Sequence, residues 1–226
     1  IEGDPLIDCG LEYLWGVSYH DPQGRQGNQH ASKDWWAHNQ EQEQIAFEGF
    51  FDWVYSRWKQ NPSMHIYHYA SYEITAIRKL STRYQTRLSE VSEMLNANVF
   101  IDLYKLVKGG LLIGEPRYSI KNVEHLFRGK RETEVADGAA SVVIYEDWRE
   151  GGGANEWASQ DNGLTSWQQD ADNFDWSPWP VLSAIRDYNI DDCESTLDLV
   201  EWLRLQQKKN EIAYQPPEQK IATEEE

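Results

Sequence analysis

The sequence is short of cysteine, of long apolar runs and of positive charge, and each shortage excludes something. Its two cysteines, Cys9 and Cys193, stand far apart with no metal-ligand spacing. They are too few for the disulfide framework of a secreted domain, so a reducing cytoplasm is the expected home. The longest apolar stretches, such as residues 142–145, fall far short of the ~20 residues of a membrane span, and no charged-then-apolar leader opens the chain. A soluble domain with no membrane partner is expected. Lys and Arg total 21 against 38 Asp and Glu, a net charge of −17, which argues against general adhesion to a phosphate backbone. Part of that excess lies in the tail (Glu218, Glu224, Glu225, Glu226) and in residues 151–175, and catalytic metal sites are themselves rich in carboxylates.

Aromatic residues are abundant, with 11 tryptophans and 12 tyrosines. Such rings stack on bases or sugars, but most are expected in the core or on half-buried strands. The 226 residues suffice for one large α/β domain with a substantial core. The chain opens on Ile1 in what reads as the end of a buried strand, so the natural polypeptide is expected to extend upstream, with a further domain there.

Residues 11–19 are rich in strand formers, and 29–37 give another strand candidate after the turn-prone 21–28. With Ile1-Glu2 they make an antiparallel meander. From 41 to 60, Phe47, Phe50, Phe51, Val54 and Trp58 recur at helical spacing until Asn61-Pro62. Residues 64–69 read as a short strand, Ser71 as an N-cap, and Ile74, Ile77 and Leu80 line one face of the next helix. A second strand and helix follow at 99–103 and 104–108, stopped by Gly109-Gly110. Beyond that point the pattern is helical, with Ser119 as a cap, a helix over 139–150, another from Pro180 toward Tyr188, and a third over 190–207. Residues 151–177 open on three glycines and have no steady period, so they read as a long insertion, mobile and making accessory contacts through exposed indoles. Residues 210–226 read as a polar tail or linker.

Three acidic spots fall at element ends expected to meet in a sheet of this order. In the first, Ile1-Glu2-Gly3-Asp4-Pro5, strand alternation points Glu2 and the residue before Ile1 the same way, while Gly3-Asp4-Pro5 reads as leaving the strand. In the second, Glu73 falls in the first turn of a helix straight after a strand, where an acid also simply complements the helix dipole. In the third, Tyr188 and Asp192 are four apart and project from one helix face.

The order Ile-Glu-Gly-Asp-Pro, then His68-Tyr69-Ala70-Ser71-Tyr72-Glu73, then residues 100–107 with 118–124, then Tyr188-Asn189-Ile190-Asp191-Asp192-Cys193 resembles the YprB-type ribonuclease-H-like domain. That family is a branch of the DEDD 3′-to-5′ exonucleases, in the tyrosine subclass. The resemblance spans roughly residues 1–206 and implies an α/β fold with a ribonuclease-H-like mixed sheet flanked by helices, occupying 1–209 with its first strand truncated at residue 1. It implies a nuclease acting on single-stranded or frayed 3′ ends of DNA or RNA. The family's first motif is Asp-x-Glu, so its Glu matches Glu2, and its Asp falls on the residue before Ile1. The second motif usually supplies Asp, where this chain has Glu73. The third, Tyr-x-x-x-Asp, is matched by Tyr188 and Asp192.

Phosphodiester hydrolysis needs charge stabilisation at the attacking and leaving oxygens, which two divalent ions about 3.5–4 Å apart supply. Hard Mg²⁺ or Mn²⁺ prefers carboxylate and water oxygens, so the resemblance makes Glu2, Glu73 and Asp192 metal ligands. Tyr188 then positions the attacking water; a tyrosine, with an ordinary pKa of ~10, suits orientation better than deprotonation. Further candidates are His68, which would approach the site if it is not a structural strand histidine, and Arg117, Tyr118 and Lys121, as phosphate contacts or as capping and surface groups. Asp102 is expected to support the fold, and Asp191, about 100° around the helix from Asp192, to be solvated. Two rivals remain: a non-catalytic binding module on the same fold, and a carbohydrate-active protein, which explains neither the motif order nor the Tyr-x-x-x-Asp spacing.

Overall fold

A computed structural model describes residues 1–20, 30–129, 135, 138–159 and 174–213. Three strands form the antiparallel meander: β1 (Glu2–Asp4), β2 (Leu11–His20) and β3 (His30–Trp36), in the order β1-β2-β3. Alternation along β2 and β3 divides their side chains between two faces. Trp15 lies opposite Trp35, and both join the core beneath α1 (Gln40–Gln60) with Phe47, Phe50 and Phe51. Leu14 lies opposite Trp36, and both face the other way, toward Tyr145, Leu182 and Ile185. The sheet therefore has helices on both sides.

Helix α1 begins where the Asn39 side chain accepts the Gln42 N–H at 2.9 Å and ends at Asn61. Next come β4 (Ile66–His68), α2 (Tyr72–Tyr84), α3 (Leu88–Asn96), β5 (Phe100–Asp102) and α4 (Leu103–Gly110). β4 and β5 pair in parallel, from Ile66 opposite Phe100 to His68 opposite Asp102. The sheet is thus mixed in character, but its hydrogen bonds close as two units, three antiparallel strands and two parallel ones. β1 is only three residues long, carries a bulge between Glu2 and Gly3, and is laddered to β2 alone among the described strands.

Ser119 caps the short α5 (Ile120–Val123), which runs into a 3₁₀ turn at Glu124–Leu126. Then follow α6 (Gly138–Glu150), α7 (Gly153–Ser159) and α8 (Pro180–Lys209). Helix α8 starts on a proline, which lacks only an N–H that a first turn leaves unpaired, and runs unbroken through Asn189. Among the described residues no helix is long and apolar enough to cross a membrane.

Of the irregular insertion expected over 151–177, the described parts, 151–159 and 174–177, are ordered against the core. Trp157 of α7 is 2% exposed, and Phe174 and Trp176 pack on the same cluster with Trp36, Tyr145 and Trp179. The glycines serve close packing: a Cβ on Gly153 would lie 2.3 Å from Trp148 Nε1. Residues 160–173 of that segment, and 214–226 of the polar tail, lie outside the described residues.

Candidate functional site

Glu2 sits on β1 with 8% of its surface exposed, and its Oε1 accepts a hydrogen bond from Asn189 Nδ2 of α8 at 3.2 Å. Asn189 reaches it by lying across the backbone of β2 at Gly16, where a Cβ would stand 1.8 Å from Asn189 Oδ1. A glycine inside a strand often marks such a close approach. One residue before and three after Asn189, the same helix carries Tyr188 and Asp192, on adjacent turns of one face.

Glu73 lies in the first turn of α2, as its position after β4 requires. Helix α2 is held against β2 and α1 by partly buried contacts. Tyr72 donates to Glu12 Oε2 at 2.6 Å, Lys79 approaches Glu12 Oε1 at 3.1 Å, and Arg83 bonds Glu43 of α1 at 2.9 Å. Glu73 Oε2 is buried, lacks a hydrogen-bond partner, and stands 3.6 Å from His68 Nδ1. His68 Nδ1 donates instead to the Ala70 carbonyl at 2.7 Å, which makes it a brace for the turn between β4 and α2.

The electrostatics draw these groups to one place. Glu73, Glu2, Cys193 and Asp192 all act on the backbone nitrogen of Ile1 at the start of β1. Desolvation pushes the Glu2 carboxyl up; the Asn189 hydrogen bond and the Lys121 ammonium oppose this, and Asp192 adds to it. Burial pushes the Cys193 thiol up to about 12, which keeps it protonated at neutral pH. Among the described residues, no three His, Cys, Asp or Glu side chains are gathered closely enough to hold one metal ion. Glu2, Glu73 and Asp192 share an electrostatic field rather than a finished coordination shell, which departs from the ligand set expected from the sequence.

The substrate candidates divide. Lys121 reaches the site, its Nζ 4.9 Å from the centre of the Tyr188 ring, and Tyr188 is 3% exposed beneath it. The Tyr118 hydroxyl is committed to its own loop, accepting the Ile113 N–H at 3.1 Å and facing the Ile113 carbonyl at 3.2 Å. Asp102 caps α4, its Oδ1 accepting the N–H groups of Ala70 and Tyr104, both at 3.0 Å.

Two acids depart from expectation. Asp191 is not solvated: Arg128, two residues after the 3₁₀ turn, bonds its carboxylate at 2.6 Å and its carbonyl at 3.0 Å. Asp4 does not leave the strand. It is 1% exposed in β1, and its carboxyl, raised by burial and by a hydrogen bond shared with Glu146, faces α6 rather than α2. Sequence reasoning missed Asn189, Gly16 and Arg128. Gly16, isolated in a run of strand formers, was the available signal.

No curated protein and no solved structure matches this chain. The family model RNase_H_2, of the RNase_H superfamily, matches residues 1–204, nearly all of the chain and every acid named above, and the protein belongs to that superfamily.

Proposed function

We propose that this domain is a metal-dependent nuclease that hydrolyses phosphodiester bonds at single-stranded or frayed 3′ ends of DNA or RNA, in the tyrosine subclass of the DEDD exonucleases. RNase H-like proteins are generally nucleases and usually use divalent metals; the exonuclease polarity rests on the YprB-type resemblance. The observation that carries the reading is that Glu2, Glu73 and Asp192, from three separate elements, all act electrostatically on the start of β1, with one oxygen of Glu73 buried and lacking a hydrogen-bond partner.

The donor set suits Mg²⁺ or Mn²⁺, being hard carboxylate oxygens with one buried oxygen of Glu73 lacking a partner. Glu2, Glu73 and Asp192 would hold the metal, with the aspartate that the Asp-x-Glu motif of the resembled family sets two positions before its glutamate. Bound divalent ions would stabilise charge on the attacking and leaving oxygens of the phosphodiester. The protein's own groups do the positioning. Asn189 fixes the rotamer of the Glu2 carboxylate, and the packed Tyr188 ring presents its hydroxyl to orient the attacking water.

The test is digestion of end-labelled DNA and RNA in Mn²⁺ by a chain extended upstream of Ile1. Asp192→Asn should abolish turnover while leaving the fold intact, since asparagine keeps the side chain's size. Tyr188→Phe should be milder, because it removes one orienting hydroxyl. Near-normal turnover of Asp192→Asn at saturating Mn²⁺ would remove that carboxylate from the site.

One observation favours a second reading, a non-catalytic module of the same fold within a larger nucleic-acid-processing protein: the three carboxylates are not drawn into one shell. Binding of nucleic acid by the extended chain without Mn²⁺-dependent cleavage would select it.

A further inference from the structure

Building on the nucleic-acid reading above, we propose that a single strand reaches the carboxylates across the face made by α4, the 111–119 connection and α5. Its phosphates lie on Lys105, Lys108, Arg117 and Lys121, and its bases lie against Tyr104 and Tyr69.

Charge is the first argument. Residues 105–121 carry these four cations against the single acid Glu115, a local +3 in a chain of net −17. All four cations are exposed, Lys105 by 81% of its side chain although its Nζ stands 3.5 Å from the Asp102 carboxylate. Glu115 is itself faced by His125 at 3.8 Å. The cations Lys79, Arg83 and Arg87 are instead each paired with a carboxylate, of Glu12, Glu43 and Asp52, so in a chain of net −17 the 105–121 strip is where a phosphate backbone meets less repulsion.

Continuity with the site is the second. Lys108 Nζ stands 5.6 Å from the centre of the Tyr104 ring, and Tyr104 meets Tyr69 edge-on at 5.7 Å. The Tyr69 hydroxyl donates to the Tyr118 carbonyl. Three residues after Tyr118, Lys121 lies over Tyr188. The path from α4 thus ends at the residue assigned to orient the water.

The rings specify the form of the strand. Tyr69 and Tyr104 are half-buried, and Leu106 and Leu112 stand out beside them, 52% and 100% exposed. Unpaired bases offer planes to stack on such rings, whereas a duplex keeps its bases covered and would need the cations alone.

The experiment measures binding of short fluorescein-labelled oligothymidylate and oligouridylate in Ca²⁺ over a range of salt. Beside it runs Mn²⁺-dependent hydrolysis of bis(p-nitrophenyl) phosphate, a diester too small to use the path. The variant Lys105→Gln/Lys108→Gln/Arg117→Gln should bind ~10-fold more weakly, with the slope of log affinity against log salt reduced by ~2, at ~0.7 per lost phosphate contact. Its turnover of the small diester should be unchanged. Tyr104→Leu should weaken single-strand binding and leave duplex binding as it was. An unchanged salt slope in a triple variant of native circular dichroism would overturn the path, as would a wild type that binds neither oligonucleotide. A wild-type chain extended upstream of Ile1 that binds along this strip but hydrolyses neither the oligonucleotides nor the small diester would leave the path standing and refute the nuclease reading.

Discussion

Burial takes Glu2 out of water without giving its carboxylate a full ionic partner, so desolvation dominates and its pKa lies above the ordinary 4.5. A raised carboxyl binds more protons folded than unfolded, so its ionisation lowers stability as pH rises from 4.5 through the folded value. In the metal-free protein at neutral pH, Glu2→Gln should therefore raise Tm, by ~2–4 °C for each kcal/mol relieved in a chain of this size. The same substitution should abolish any rise in Tm that Mn²⁺ confers on the wild type, because the ligand is gone. Thermal scans with and without Mn²⁺ check both, and a lowered metal-free Tm would mean the carboxylate is a net stabiliser. At this scale the sequence was readable wherever a side chain's place follows from its own element. Glu73 after a strand and Tyr188 with Asp192 on one helix face are such cases. Asn189 was hidden because its role depends on the space above Gly16, a pairing that no local spacing encodes.

Elements with a steady apolar period, α1 and α2, could be read from the sequence, and so could the cap Ser119 of α5, whereas Ser71 makes no side-chain cap and the two helices expected over 180–207 are the single α8. Helix α3 could not, because the turn before it uses Gln85 and Arg87, both at φ 51, with no glycine to mark it. Helix α7 was obscured the opposite way, by glycines that signal mobility in isolation but here let a tryptophan approach. Gly153→Ala tests that account. Its Cβ would fall 2.3 Å from Trp148 Nε1 and 2.4 Å from Cε2, so the indole must shift within a cluster that includes Trp157 and Trp179. Overpacking of this kind costs about 1–3 kcal/mol. The expected result is a lower Tm and altered tryptophan fluorescence, with Mn²⁺ affinity unchanged because the cluster lies on the α6 and α7 side of the sheet. Wild-type stability would restore the view of residues 151–159 as a loose insertion.

For the molecule as a whole, the acidic balance and the buried ionisable groups act on stability in opposite directions as pH falls. Asp34 and Glu2 are raised by burial, so protonating them relieves a cost. His38 does the reverse. It is boxed by Trp148 at 4.9 Å and Trp157 at 5.4 Å, its Nδ1 meets the Tyr145 hydroxyl at 3.0 Å, and its Nε2 is buried without a partner. Burial lowers its pKa from 6.5 to about 3. Between those values the unfolded chain takes up a proton that the folded one refuses, so the stability contributed by neutral His38 is fully present above pH 6.5. Below that it declines by up to ~1.4 kcal/mol per pH unit until pH approaches 3. The wild-type profile mixes both effects, so the difference between two proteins is the informative quantity. His38→Phe keeps an aromatic ring in the box and removes the titration, at the expense of the Tyr145 hydrogen bond, which is a constant offset. Urea denaturation from pH 7 to pH 4 should show the wild type losing ground to His38→Phe by close to one proton's worth of slope below pH 6. Parallel curves for the two proteins would mean that His38 is charged in the folded state, and that the aromatic cluster opens enough to hydrate it.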